Sequence, residues 1–214
     1  MKKFLGISAA VVAFVAAGSA AQAAPYVVDD FSAGADQFVS ASSSLTAYDA
    51  IAGRTVGLTV LTGVDPNFDP YAFVDVSDGQ FRIVNGSTEN SIVDVTYDPI
   101  TQGFITSITF SVLSSDGGIG TTNTVDVFLD GVALSAGALS ITDTAVAQDF
   151  TIGISALERA NLADGAVLSF RVTGSTDFDI TFDGVTANVP EPAALALFGL
   201  GLIGLGAARR RRVA

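Results

Sequence analysis

Carboxylates are the most frequent ionisable side chains in this sequence. It contains 22 aspartate and glutamate residues against ten lysines and arginines, and it has no histidine and no cysteine. Without imidazole or thiolate ligands, the usual zinc, copper, haem and iron–sulfur sites are excluded. Catalysis that pairs a serine or cysteine nucleophile with a histidine base is excluded as well. Carboxylates can still bind a hard cation such as Ca²⁺.

Two groups of oxygen ligands could serve this purpose. Asp65, Asn67 and Asp69 alternate along a loop, but no glycine or closing glutamate stands where an EF-hand loop needs one, so that motif is excluded. Asp29, Asp30 and Asp183 would meet if the first and last strands of the fold pair. The sequence thus allows a structural Ca²⁺ at these three residues, with solvated turn residues as the alternative, and we expect no other cofactor.

Aromatic residues that could bind a sugar are few. There is no tryptophan, and four tyrosines are the only aromatic side chains with a polar tip. Tyr71 follows a loop rich in proline and aspartate and is the candidate for an exposed ligand contact. Tyr97 lies on the same strand face as Val93 and Val95, which predicts packing in the core instead.

Enzyme motifs are missing from the sequence. We find no nucleophile elbow, P-loop or dinucleotide fingerprint. A glycoside hydrolase needs two carboxylates with separated pKa values across a cleft. Only three glutamates occur, Glu89, Glu158 and Glu191, although pairs of aspartates could do the same chemistry. We predict that the protein is not an enzyme.

The first 23 residues read as a secretory signal peptide. Lys2 and Lys3 precede an apolar stretch from Phe4 to Gly18, and Ala21 and Ala23 provide the small residues of a cleavage site. Signal peptidase would then leave Ala24 as the first residue of the mature protein.

Residues 189–214 form a tail of three parts. Pro190, Glu191 and Pro192 come first. The two prolines end the preceding strand because each has a fixed φ and no N–H donor. An uncharged run from Ala193 to Ala208 can form a helix in lipid, and four arginines follow: Arg209, Arg210, Arg211 and Arg212. Such a cluster favours the cytoplasmic side of a membrane.

This tail resembles the PEP-CTERM sorting signal of Gram-negative bacteria, which is also known as the C-terminal domain of ice-binding proteins. The resemblance implies transient insertion in the inner membrane and recognition by an exosortase-type membrane protease. It also implies delivery to the cell envelope or extracellular surface, often alongside exopolysaccharide. A permanent membrane anchor is the alternative.

The remaining residues, 24–188, have the length of one domain. They hold 21 of the 22 acids and only four of the ten basic residues, which gives a net charge of about −17. A field of this sign repels nucleic acid and anionic lipid, so we expect neither as a partner.

Alternating apolar and polar residues predict strands throughout this domain. The inward faces with the clearest alternation are Phe104, Ile108, Phe110 and Val112; Val125, Val127 and Leu129; Leu168, Phe170 and Val172; and Phe178, Ile180 and Phe182. Further strands are predicted at residues 27–31, 55–61, 72–76, 80–84, 92–97, 132–141 and 146–152.

Turn and capping residues separate these strands. Asp130-Gly131 predicts a hairpin, and Asp78-Gly79 and Asp183-Gly184 predict turns. Ser155 and Glu158 have the spacing of a capping box and predict one short helix. The fold class that follows is all-β: a β-sandwich of jelly-roll type between a signal peptide and a C-terminal transmembrane sorting helix.

The body also resembles secreted bacterial jelly-roll domains related to carbohydrate-binding modules. Asp29-Asp30-Phe31-Ser32, Ile51-Ala52-Gly53-Arg54 and Thr96-Tyr97-Asp98 carry this resemblance. We predict a secreted, non-enzymatic structural or adhesive protein of the cell surface or extracellular matrix, linked to exopolysaccharide or biofilm. The first alternative is a carbohydrate-binding module acting on exopolysaccharide; a glycoside hydrolase and an ice-binding protein follow.

Overall fold

Two antiparallel sheets make up the folded part of the chain. The computed structural model describes residues 25–32, 37–41, 46–51, 53–62, 72–86, 90–101, 104–116, 123–142, 145–174 and 176–189. Residues 25–189 form one compact unit. Its elements are β1 (Tyr26–Asp29), β2 (Gln37–Ala41), β3 (Thr46–Ile51), β4 (Arg54–Thr62), β5 (Ala72–Ser77), β6 (Gln80–Asn85), β7 (Asn90–Tyr97), β8 (Ser107–Asp116), β9 (Asn123–Leu129), β10 (Val132–Ala133), β11 (Leu139–Ile141), β12 (Gln148–Gly153), α1 (Ala156–Ala163), β13 (Leu168–Thr173) and β14 (Asp179–Asn188).

Each sheet has seven strands. The first, sheet 1, has the order β12-β8-β14-β6-β5-β2, and β1 also pairs with β14. The second, sheet 2, has the order β10-β9-β13-β7-β4-β3, and β11 also pairs with β9. The long strand β14 lies inside sheet 1: β8 follows it along one edge, and β6 and β1 share the other. The prediction of an all-β, jelly-roll-like sandwich is confirmed.

The strand faces follow the alternation of the sequence. Residues of β9 are alternately buried and half-buried from Asn123 to Leu129. In β13 and β14, Leu168, Phe170, Val172, Ile180 and Phe182 are buried and alternate with half-buried or exposed residues. The predicted inward faces of β9, β13 and β14 are therefore confirmed. Tyr97 is buried beside Val93 and Val95, as expected.

Phenylalanine rings from four strands meet between the sheets. Phe81, Phe110 and Phe182 come from sheet 1, and Phe170 reaches them from sheet 2. The ring centroids of Phe110 and Phe170 are 5.2 Å apart, and those of Phe81 and Phe182 are 5.8 Å apart. All four rings are buried, so edge-to-face contacts add to the apolar burial that holds the sheets together.

Local signals fix two hairpins and the helix. At Asp78-Gly79 and Asp130-Gly131 all four residues have positive φ, the conformation of a type I′ turn, and the flanking strands pair directly. In α1, the backbone N–H of Ser155 donates to a Glu158 oxygen at 2.6 Å, and Glu158 N–H donates to Ser155 Oγ at 3.4 Å. The predicted capping box is confirmed.

Three predictions about local structure are wrong. Phe104 is 75% exposed, because β8 begins only at Ser107 and Phe104 lies in the turn before it. Residues 132–141 form two short strands instead of one. Asp183-Gly184 is no turn but lies within β14, where the register with β8 shifts at a bulge. A side chain at residue 184 would meet the Asp29 carbonyl oxygen at 3.3 Å, so glycine permits a close approach of β1.

Candidate functional site

Many of the residues singled out in the sequence lie outside the described residues. These are Ala21, Ala23 and Ala24 of the cleavage site, Tyr71 with the loop before it, and the tail residues Pro190, Glu191, Pro192 and Arg209 to Arg212, together with the expected C-terminal helix. The structure does describe the last residues of the sandwich, Asn188 and Val189. Among the described residues, no helix is long and apolar enough to span a membrane.

The last residue of β14 is held firmly to the start of β8. The backbone carbonyl of Asn188 accepts hydrogen bonds from the Thr106 N–H at 2.8 Å and from Thr106 Oγ1 at 3.2 Å. The side-chain amide of Asn188 donates to Ser107 Oγ at 2.9 Å. Val189 is half-buried and packs against the core. The hydrogen bonds and packing of the sandwich thus extend to Asn188 and Val189.

Asp29 is bound to an arginine. Its Oδ2 lies 2.5 Å from Arg54 Nη1, and both side chains are more than nine-tenths buried. The Oδ1 atom of Asp29 accepts the backbone N–H of Phe31 at 2.8 Å. Both carboxylate oxygens of Asp29 thus have partners. The positive charge beside Asp29 is the guanidinium of Arg54.

Arg54 joins the two sheets. From β4 in sheet 2 it reaches Asp29 on β1 and, through Nε, the Gln37 side-chain oxygen on β2 at 2.8 Å. Its guanidinium carbon also lies 5.5 Å from the centre of the Phe31 ring. Burial, and then the charge of Asp29, raise the pKa of Tyr97 well above its ordinary value. The Tyr97 hydroxyl has no hydrogen-bond partner of ordinary geometry. In this cluster the charges of Arg54 and Asp29 neutralise each other, so its contacts serve to hold the two sheets together.

The other two acids of the proposed calcium group are not gathered around Asp29. Asp30 is exposed and accepts hydrogen bonds from the hydroxyl and the backbone N–H of Ser32, which lower its pKa. Asp183 is exposed on β14. The first and last strands do pair, yet within the part of the chain that the structure describes, no three acidic side chains form a group that could hold a metal ion.

Among the described residues, the outer face of sheet 2 carries hydroxyls and the half-buried ring of Phe128. Arg171 on β13 donates to both oxygens of Asp94 on β7, at 2.7 and 3.1 Å, and its guanidinium carbon lies 5.9 Å from the Phe128 ring centre. Two rungs of hydroxyl residues flank this pair. Thr124 and Thr173 bond each other at 2.6 Å, and Ser169 pairs with Thr96. We call this surface, with Phe128 at one corner, the hydroxyl face.

A third polar group, which the sequence did not predict, lies inside the sandwich near the first residues of β14, at the end opposite to Asn188. The side-chain oxygens of Asn85, Ser91 and Asn123 are buried without hydrogen-bond partners. Phe178 packs against this group: its carbonyl oxygen accepts a hydrogen bond from the Asn85 amide at 2.8 Å. A Cβ at Gly174 would stand 2.5 Å from the Phe178 ring and 2.4 Å from the Asn123 oxygen. Because the packing is closed, we assign no ligand to this group.

Comparison with known protein families identifies the segment that follows the sandwich. Residues 188–212 match the PEP-CTERM protein-sorting motif. The chain carries a PEP-CTERM sorting signal. The resemblance noted in the sequence is therefore confirmed, and the motif implies a secreted, exosortase-processed protein of the cell surface. The match begins on Asn188, the last residue of β14.

Comparison with solved structures returned distant likenesses of fold. A family 11 carbohydrate-binding module from Clostridium thermocellum, in complex with a β-1,3-1,4-mixed-linked tetrasaccharide, is 12% identical with a TM-score of 0.40; the match covers 78% of this chain and 98% of that chain. A family 35 module from Paenibacillus barcinonensis is 16% identical with a TM-score of 0.32, over 72% of this chain and 98% of that chain.

Another match, to a structure described as PfGH50B, is 9% identical with a TM-score of 0.37. It covers 56% of this chain, and this chain spans only 22% of that one. A comparison with curated protein sequences found no significant match.

Proposed function

We propose that this protein is a non-enzymatic structural or adhesive component of the outer surface or extracellular matrix of a Gram-negative bacterium. In this proposal, signal peptidase removes residues 1–23, the tail inserts transiently in the inner membrane, and an exosortase-type protease then releases the sandwich. The observation that carries the proposal is the PEP-CTERM motif, which starts on the last residue of a folded sandwich.

The chemistry of the sandwich supports a structural role over a catalytic one. The whole sequence lacks histidine and cysteine. Several of its buried or half-buried acids hold the fold together: Asp29 binds Arg54, Asp75 lies 3.5 Å from Arg82, and Glu158 caps α1. A carboxylate that is neutralised by an arginine or used as a cap is a poor general acid or nucleophile. A matrix role linked to exopolysaccharide is part of this proposal.

Intact-mass analysis of the protein released from the cell surface tests the sorting step. We expect a form that starts near Ala24 and lacks Arg209 to Arg212. The variant Glu191→Ala should instead accumulate as uncleaved precursor in the inner membrane. Asp98→Ala, which removes an exposed carboxylate from the sandwich itself, is the matched control and should be processed normally. Recovery of the arginine cluster in the released protein would contradict the proposal.

The hydroxyl face favours a second candidate function, the binding of exopolysaccharide. Sugar C–H groups pack on aromatic rings, and sugar hydroxyls pair with charged and hydroxyl side chains. Phe128, the Arg171–Asp94 pair and the threonines of the hydroxyl face present both kinds of group on one surface.

A glycan array combined with two phenylalanine variants tests this candidate. If the hydroxyl face binds sugar, Phe128→Ala should weaken glycan binding. Phe73→Ala, a matched truncation of a half-buried ring on β5 in the other sheet, should not. Equal binding by both variants would rule this face out as the sugar site.

A further inference from the structure

Among the described residues, several large apolar side chains, Val27 included, are exposed at the end of the sandwich where β14 ends. Tyr26, Phe104 and Leu157 are 38%, 75% and 77% exposed, respectively. Burying apolar side chains of this size is favourable, so a group of exposed ones near a functional segment indicates a contact surface. We call these three side chains the junction patch.

Backbone hydrogen bonds place the junction patch next to the sorting motif. Tyr26 on β1 pairs with Ala187 of β14. Phe104 precedes Thr106, whose N–H bonds the Asn188 carbonyl at 2.8 Å. Leu157 lies in the first turn of α1, just after Ile154, whose N–H bonds the Thr106 carbonyl at 2.8 Å. All three residues are therefore tied to the last residues of β14.

The chain leaves no free linker between this surface and the motif. Asn188 is pinned by three hydrogen bonds, Val189 packs against the core, and Pro190 follows directly. Since an extended residue spans at most about 3.6 Å, Pro190 to Pro192 cannot reach more than roughly 11 Å from Val189. Any protein that binds the Pro-Glu-Pro motif must approach the end of the sandwich.

We propose that the junction patch is a docking surface for the membrane protease that processes the PEP-CTERM signal. This inference rests on the proposed sorting function. The protease would recognise two elements together, the motif itself and the apolar side chains of the folded domain beside it. The patch offers the burial of apolar surface to such a partner, and the sandwich that carries it has a net charge of about −17. The same charge disfavours an anionic lipid surface as the occupant.

Pulse–chase processing of the full-length precursor in its own cells tests the inference. Phe104→Ser should slow conversion to the mature form by roughly tenfold, the effect of losing part of one aromatic contact at an interface. Val146→Ser is the matched control, because Val146 is 74% exposed but precedes β12, away from this end; it should be processed at the wild-type rate. Phe104→Leu, which keeps an apolar side chain, should restore most of the rate.

A second variant guards against an effect on folding alone. A flexible Gly-Ser insertion between Val189 and Pro190 leaves the sandwich intact but separates the patch from the motif, so it should slow processing to a similar extent. If Phe104→Ser and the insertion are both processed at the wild-type rate while Glu191→Ala is not, the docking surface is overturned and the sorting function stands. If Glu191→Ala is also processed normally, the sorting function itself fails. Binding of the mature protein to anionic lipid vesicles that depends on Phe104 would assign the patch to the membrane and overturn the inference as well.

Discussion

Phe170→Ala should be one of the most damaging single truncations in this protein. The ring is buried at the centre of the sandwich, and it is the member of the aromatic cluster that crosses from sheet 2 to sheet 1. Its centroid lies 5.2 Å from that of Phe110, 6.1 Å from that of Phe81 and 6.2 Å from those of Tyr97 and Phe182. Removing it leaves a cavity lined by four other rings.

The expected loss follows from those contacts. Truncation of a buried phenylalanine lowers the free energy of unfolding by about 3–5 kcal/mol. Each favourable aromatic pair adds about 0.5–1.5 kcal/mol beyond simple burial, so we expect the upper part of that range. For a domain of this length, 1 kcal/mol lowers Tm by about 2–4 °C. The melting temperature should therefore fall by roughly 8–20 °C.

Chemical denaturation, followed by tyrosine fluorescence and circular dichroism, measures this loss. Phe128→Ala is the matched control, since Phe128 lies on the adjacent strand β9 but on the outer face, where its ring is only half-buried. It should cost about 1 kcal/mol, mostly from its contact with Arg171. A shift of register by one residue exchanges the two faces of a strand. A loss below about 1 kcal/mol for Phe170→Ala, or a larger loss for Phe128→Ala, would refute the assignment of faces.

Three further predictions concern charge. Arg54→Leu should lower the free energy of unfolding by about 3–5 kcal/mol because it leaves Asp29 buried and unpaired, and adding Asp29→Leu should recover part of that loss in a double-mutant cycle. Partial burial opposes the ionisation of Glu158, but hydrogen bonds from Ser155 and Ser135 lower its pKa to about 2. Its contribution to stability is therefore complete above about pH 4.5 and is lost as the pH falls towards 2, so acid titration of Glu158→Gln should show a smaller loss there. Thermal melts in CaCl₂ and MgCl₂ at equal ionic strength should nearly coincide, as general screening of a net charge of about −17 predicts; saturation at low CaCl₂ alone would instead reveal a specific calcium site.

The sequence predicts the interior strands well because their environment is uniform. β9 and β13 each have partners on both edges and one buried face, so apolar residues alternate without interruption. The sequence analysis missed β2, and its buried face explains why. Gln37 is fully buried in β2, as is Val39. This burial is possible because the Gln37 side-chain oxygen accepts a hydrogen bond from Arg54. A buried glutamine breaks the apolar pattern, and the partner that satisfies it lies on another sheet.

The cluster around Asp29 could be predicted only in part. Pairing of the first and last strands was expected and is confirmed, with Tyr26 opposite Ala187. The partner of Asp29, however, is an arginine 25 residues away in the sequence, and only the packing of the two sheets brings it close. Local spacing carries no information about such a contact. Gly184 could not be predicted either. Asp183-Gly184 has the sequence of a turn, but it lies at a bulge in β14 where the backbone of β1 approaches closely.

If the chain is exported from its amino end, as proposed above, the position of β14 sets an order of events. It is the last strand of the sandwich in the sequence, yet β8, β6 and β1 all pair with it. A chain that emerges from its amino end can form the hairpins β5–β6 and β9–β10 early, but sheet 1 stays split until residues 179–188 have crossed. By then the rest of the sorting signal, whose match begins at Asn188, is the next segment to arrive. Completion of the fold and presentation of the signal thus coincide in time, so a chain that has not finished folding would reach the protease with its final strand still unpaired.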